Sequence, residues 1–161
     1  MPQADKYADR RHVRGYRIYA AEAFYHLRTS TVEHLPLLAD DLCKQIVLDG
    51  LRHNAVAHGF DLLAYVIMPD HLHLLVQPQG DSNISRFMAS FKKHTARCIN
   101  EHLGRKGAVW RKEFYDHMMR SYEHLDELVR YIHDNPVRRG LAASADEWAF
   151  SSWREIYGSG G

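Results

Sequence analysis

An α+β sandwich is the fold class that this sequence predicts, and three observations predict it. Strand-like and helix-like periodicities are interspersed along one chain of 161 residues with no internal repeat. Two strand-like runs are joined by a short turn at Pro69-Asp70, which pairs them antiparallel. The composition, 45% apolar and 25% charged, is that of an ordinary globular domain with its own core. That composition excludes disordered, collagen-like and disulfide-rich classes. No apolar run reaches the roughly 18 residues of a membrane span. The polar stretch MPQADKYADRRHVRGYR lacks the apolar segment of a secretion signal, so a cytoplasmic location is expected. Cys43 and Cys98 sit in helical patterns and read as small buried apolar side chains in a reducing compartment.

Each element follows from its residues. Positions 1–21 read as a polar, basic arm. The alternation in EAFYHLRT predicts a strand over 22–29. A helix is expected over 35–57, with Pro36 in its first turn, Leu38, Leu42 and Ile46 on one face, and Gly59 closing it. The nearly continuous apolar run FDLLAYVIM predicts a strand over 60–68, and the alternating HLHLLVQ a partner strand over 71–77. A second helix is expected over 82–103, with Ile84, Phe87, Met88, Phe91, Cys98 and Ile99 as its apolar face. A strand at 114–120 and a helix at 122–135 follow, the helix turning Leu125, Leu128, Val129 and Ile132 inward and stopping before Pro136. Trp148, Phe150 and Trp153 pack back on the core, and 158–161 is a flexible tail. Residues 22–157 therefore form one domain.

The formal charge is only +1, which on its face argues against a nucleic-acid binder. The charge is segregated, however. Residues 84–113 hold eight basic side chains (Arg86, Lys92, Lys93, Arg97, Arg105, Lys106, Arg111 and Lys112) against Glu101 and Glu113. The balancing acids lie at 32–70 and 115–134. A locally basic stripe can bind phosphate on a neutral protein, although a solvated helix face reads the same way.

Two short patterns carry chemistry. His71 and His73 are two apart on a strand, so both imidazoles lie on one face, as two thirds of a first-row metal site would require. Tyr131 and Asn135 are four apart on a helix and share a face. Alone, each pattern is more often structural. Together they describe a mixed N,N,O metal site with open positions, and a tyrosine hydroxyl beside whatever the metal binds. Such a site fits phosphodiester transesterification through a phosphotyrosine.

Longer runs give a specific resemblance. Tyr65-Val66-Ile67-Met68-Pro69-Asp70-His71-Leu72-His73-Leu74-Leu75 resembles the HUH motif of single-tyrosine transposases. Val109-Trp110, Phe114-Tyr115-Asp116-His117, Tyr131-Ile132-His133-Asp134-Asn135-Pro136-Val137-Arg138-Arg139-Gly140-Leu141 and Trp148-Ala149-Phe150-Ser151-Ser152 follow in order. The combination is similar to the REP-associated tyrosine transposase family over residues 22–153.

The resemblance implies the HUH endonuclease fold, a ferredoxin-like antiparallel sheet with helices packed on it. It implies Mg²⁺ or Mn²⁺ held by His71, His73 and Asn135, with Tyr131 as nucleophile. It implies single-stranded DNA carrying a REP-type hairpin as substrate, in a monomer or homodimer with no membrane partner. The eight basic residues would then contact the DNA backbone, and Trp110 and Tyr115 are candidate platforms for unpaired bases, although packing under the loop reads at least as well for both. Where many members carry arginines after the first strand, this chain has Ser30-Thr31-Val32-Glu33-His34-Leu35. A hairpin-binding relative that no longer cleaves is the alternative. A zinc hydrolase built on His71 and His73 is a third reading, and it needs a further His or acidic ligand. His133, two residues from Tyr131, points away from it and is left out of the site.

Overall fold

The computed structural model describes residues 23–119 and 124–158. The expected basic arm over 1–21 and all of the tail but Gly158 lie outside the described residues. Four strands, β1 (Phe24–Ser30), β2 (Phe60–Ile67), β3 (His71–Pro78) and β4 (Tyr115–Met119), form one sheet in the order β2-β3-β1-β4. Every neighbouring pair is antiparallel. Helix α1 (Asp41–His58) connects β1 to β2, and α2 (Ile84–Leu103) connects β3 to β4. This is the ferredoxin-like α+β arrangement that the sequence predicts.

The sheet has two differently covered faces, set by the two-residue alternation of each strand. On β3, Leu72, Leu74 and Val76 join Leu27, Tyr65 and Ile67 against α1 and α2, where Val47, Leu51, Phe87, Phe91 and Ile99 complete the larger core. The intervening residues face the other way. There Phe24, Ala64, Val66 and Leu75 pack on Leu128 and Ile132 of α3 (Leu125–His133). Both faces of β3 are therefore covered, which explains its run of six buried residues.

Local signals explain the boundaries. Helix α1 begins at Asp41, not 35, because the Asp40 carboxylate accepts the Cys43 backbone N–H at 2.7 Å and caps the first turn. The segment around Pro36 is non-helical, and the expected face built on Leu38, Leu42 and Ile46 is not the buried one. Leu42 is 52% exposed, whereas Cys43, Val47 and Leu51 are fully buried. Leu38 is also buried, but from the loop, where its N–H bonds the Pro69 carbonyl at 2.9 Å. Asn83 caps α2 through the Arg86 N–H, and Gly104 ends it at φ 65°. The third helix stops at His133, and Asn135–Arg138 makes a separate turn, α4, with Pro136 in its first turn, where no N–H is missed.

The C-terminal segment straps the free edge of β2. The Ile67 N–H bonds the Phe150 carbonyl at 2.9 Å, the Ser152 N–H bonds the Tyr65 carbonyl at 3.0 Å, and the Trp148 indole donates to the Ile67 carbonyl at 3.0 Å. An otherwise open edge strand is thereby covered. Trp153 opens the short last helix, α5 (Trp153–Tyr157). Among the described residues no helix is long and apolar enough to cross a membrane.

Candidate active site

The smaller core does not fill its face of the sheet. Beyond Leu75 the same face of β3 carries His73 and His71, and the same face of β1 carries His26, Arg28 and Ser30. Helix α3 lies over this region and the turn into α4 closes one side. The result is a cleft of about 250 Å³ walled by Arg28, Ser30, His34, His71, His73, Tyr131, Asn135, Arg138 and Arg139. His71, His73, Tyr131 and Asn135 thus meet in one place, all contributed by one chain.

Burial and hydrogen bonds define each histidine. The His71 and His73 rings lie 5.2 Å apart and nearly perpendicular. His71 Nδ1 is 2.7 Å from the Asp70 carboxylate, which also meets Arg139 at 3.3 Å. The Asn135 side chain lines the same cleft and favours the charged form of this imidazole. His73 Nδ1 is 3.0 Å from His26 Nε2. Burial lowers the pKa of all three imidazoles: His71 against the pull of Asp70, His73 well below its ordinary value, and His26 to about 4. Burial alone would raise Asp70, but its contacts with His71 and Arg139 hold it below the usual carboxylate range. The rings are therefore neutral near pH 7, as metal ligands must be.

Tyr131 is half-buried, its ring 5.8 Å from that of His73 and edge-on to it. The Arg138 guanidinium lies 4.3 Å over the Tyr131 ring and donates to the Tyr131 carbonyl at 3.1 Å. The cleft thus places a phenol, two neutral imidazoles, an amide oxygen and three arginines around one space. Two imidazoles and one oxygen donor suit a first-row divalent ion with open positions, so the residues present fit such a metal.

The predicted basic residues distribute unevenly. Arg111 lines an adjoining cleft of about 270 Å³ together with Arg28 and Tyr115. Lys92 is half-buried, and its ammonium donates to the carbonyls of Arg111, Lys112 and Glu113 at 2.8–3.2 Å, which fixes that loop. Arg105 holds the Asn100 side chain and the Ala108 carbonyl. Arg86, Lys93, Arg97, Lys106 and Lys112 are exposed and stand outside the cleft walls. Trp110 is not a stacking platform. It is 6% exposed, packs on Phe91 and donates to Thr95 Oγ1 at 2.9 Å.

His133 and His102 have structural partners instead. His133 points away from the cleft, with Nε2 2.8 Å from Ser152 Oγ, and burial lowers it to about 4. Asp40, Cys43 and His102 bring ligand-type atoms within 4.8 Å of one another. Both Asp40 oxygens are engaged there, one capping α1 and the other 3.0 Å from His102. That grouping ties α1 to α2.

Sequence reasoning missed His26, Asp70, Arg28, Arg138 and Arg139. Their signals were present. His26 and Arg28 alternate on β1 as His71 and His73 do on β3, Asp70 precedes the histidine pair, and the arginines follow Asn135 by three and four residues.

Comparison with known proteins adds three findings. Residues 20–135 match the family described as Transposase IS200 like. A Haemophilus influenzae protein assigned to the REP-associated tyrosine transposases is 31% identical over 115 residues, and the REP-associated tyrosine transposase of Escherichia coli K12 is 30% identical over 108. These matches take in 62% and 64% of the chain and span 65% and 62% of those relatives' own lengths. The solved structure of a REP-associated tyrosine transposase bound to a REP hairpin superposes with a TM-score of 0.73 at 22% identity, over 94% of this chain and 85% of that one.

Proposed function

The chain belongs to the IS200-like transposase family, and from that premise we propose that it is a metal-dependent single-stranded DNA endonuclease and strand transferase acting on REP-type hairpin DNA. The observation that carries this reading is the convergence of Tyr131, His71, His73 and Asn135 in one arginine-walled cleft. Relatives at about 30% identity are REP-associated tyrosine transposases, and a neighbour of the same fold is bound to a REP hairpin.

In this reading His71, His73 and Asn135 hold Mg²⁺ or Mn²⁺. When bound, the ion supplies Lewis-acid polarisation of the scissile phosphate. Tyr131 Oη attacks phosphorus and loses its proton, the P–O3′ bond breaks, and the leaving oxygen takes up a proton as a free 3′-hydroxyl. The 5′-phosphate stays on Tyr131. Attack by a 3′-hydroxyl reverses the step, so no external energy source is needed. Arg28, Arg138 and Arg139 neutralise phosphate at the cleft, and the exposed basic residues, with Arg111 in the adjoining cleft, hold the flanking backbone without reading sequence.

Nothing favours the zinc-hydrolase reading. Among the described residues, no third imidazole, thiol or carboxylate shares a common ligand position with His71 and His73. A non-cleaving binder would not require all four site residues together. The test incubates a single-stranded hairpin oligonucleotide with the protein and Mn²⁺ or Mg²⁺ and resolves products on a denaturing gel. A protein–DNA adduct is expected from the natural chain. Tyr131→Phe should give none while still binding the DNA, and an adduct from that variant would exclude Tyr131 as nucleophile.

A further inference from the structure

We infer that His26 is a positioning residue that selects the nitrogen through which His73 meets the metal. The inference rests on the metal-site reading above. His26 lies on β1 two residues before Arg28, and Arg28 is the cross-strand partner of His73, so both imidazoles project from the same face of the sheet. His26 is 2% exposed, its ring stacks on that of His73 at 5.2 Å and 22°, and its Nε2 sits 3.0 Å from His73 Nδ1.

The hydrogen bond constrains the tautomer. An imidazole can bind a metal only through a nitrogen that carries no proton. With His73 Nδ1 facing His26, Nε2 is the nitrogen available to the cleft. The His73 proton then resides on Nδ1 and is donated to His26 Nε2, so His26 carries its own proton on Nδ1. His71 is treated the same way, with Asp70 accepting at Nδ1. The two ligand histidines thus have unlike supports: a carboxylate tied by Arg139 for one, and a neutral imidazole for the other. His26 also stands edge-on to the rings of Tyr131 at 6.3 Å and Tyr115 at 5.6 Å, so one side chain aligns a ligand and the nucleophile. A partner that served only to fill space would not need a nitrogen at that distance.

The test measures Mn²⁺ binding by calorimetry on the full chain without DNA. His26→Phe keeps the ring volume and removes the acceptor, and it should weaken Mn²⁺ binding by about 10–100-fold, the usual cost of losing such a support. His26→Gln places a carbonyl oxygen near the lost Nε2 and should bind within about threefold of the natural chain. Equal affinity in a cooperatively melting His26→Phe protein would overturn the inference. Should that variant fail to fold, ¹⁵N-imidazole NMR of the natural chain with Mg²⁺ decides: His73 protonated at Nδ1 supports the inference, and protonation at Nε2 refutes it. Failure of the underlying metal site looks different, because the natural chain itself would then bind no Mn²⁺ and His71→Ala would change nothing.

Discussion

Arg138 does two things to Tyr131 at once: its guanidinium covers the ring at 4.3 Å, and it donates to the same residue's carbonyl at 3.1 Å. An exposed cation–π contact contributes about 0.5–1 kcal/mol, and a hydrogen bond about 1 kcal/mol. If that stabilisation holds the ring for attack, its loss amounts to roughly a tenfold slower reaction. Arg138→Ala should therefore slow single-turnover adduct formation by about tenfold. Arg138→Lys should recover little, because an ammonium cannot stack flat on a ring and fork to a carbonyl together. An unchanged rate in Arg138→Ala would show that the contact only decorates the surface. The signal for this residue lay in the sequence, three positions after Asn135, but its role did not. Whether an arginine there turns toward the tyrosine or toward solvent depends on the short turn α4, which the expected helix to 135 does not contain.

At the scale of elements, the crossing of α1 on α2 is set by Gly50. A β-carbon there would come within 2.6 Å of Thr95 Cγ2. Thr95 cannot rotate away freely, because its hydroxyl donates to the Phe91 carbonyl at 2.8 Å and accepts the Trp110 indole at 2.9 Å. Gly50→Ala should consequently destabilise the fold by about 1–3 kcal/mol, the usual cost of overpacking. Helix propensity taken alone argues the opposite, a gain of about 0.8–1 kcal/mol. Urea denaturation midpoints decide between the two signs. The contact also explains Trp110, whose indole ties the loop after α2 to the helix crossing and is unavailable to a base. In sequence, a tryptophan amid Arg105, Lys106, Arg111 and Lys112 reads equally as a stacking platform or as packing. Only its burial settles which.

For the whole molecule, one buried thiol reports on stability. Cys43 is fully buried in the larger core, and burial pushes its pKa from 9.0 to about 11. The folded state therefore keeps a proton that the unfolded chain releases. This contribution is full below pH 9 and is lost as pH rises toward about 11. Unfolding midpoints should fall across that window, and Cys43→Ala should show a shallower fall. A slope unchanged by the substitution would assign the alkaline loss to other groups. The same large core carries the site at a distance, since α1 and α2 hold the sheet from one face while α3 presents Tyr131 on the other.

The sequence by itself determined everything that follows from local period. The four strands, the long second helix, the pairing of β2 with β3 and the shared face of His71 and His73 needed only the alternation of side chains along a strand and their 3.6-residue recurrence along a helix. Resemblance carried Tyr131 and Asn135 to the same site. Tertiary structure decided which side of α1 is buried, that Trp110 belongs to the core, and that His26, Asp70 and the arginines surround the histidines. The physical reason is range. Periodicity is a property of neighbouring residues, whereas the His26–His73 bond joins residues 47 positions apart and exists only once β1 and β3 lie in register between two packed layers.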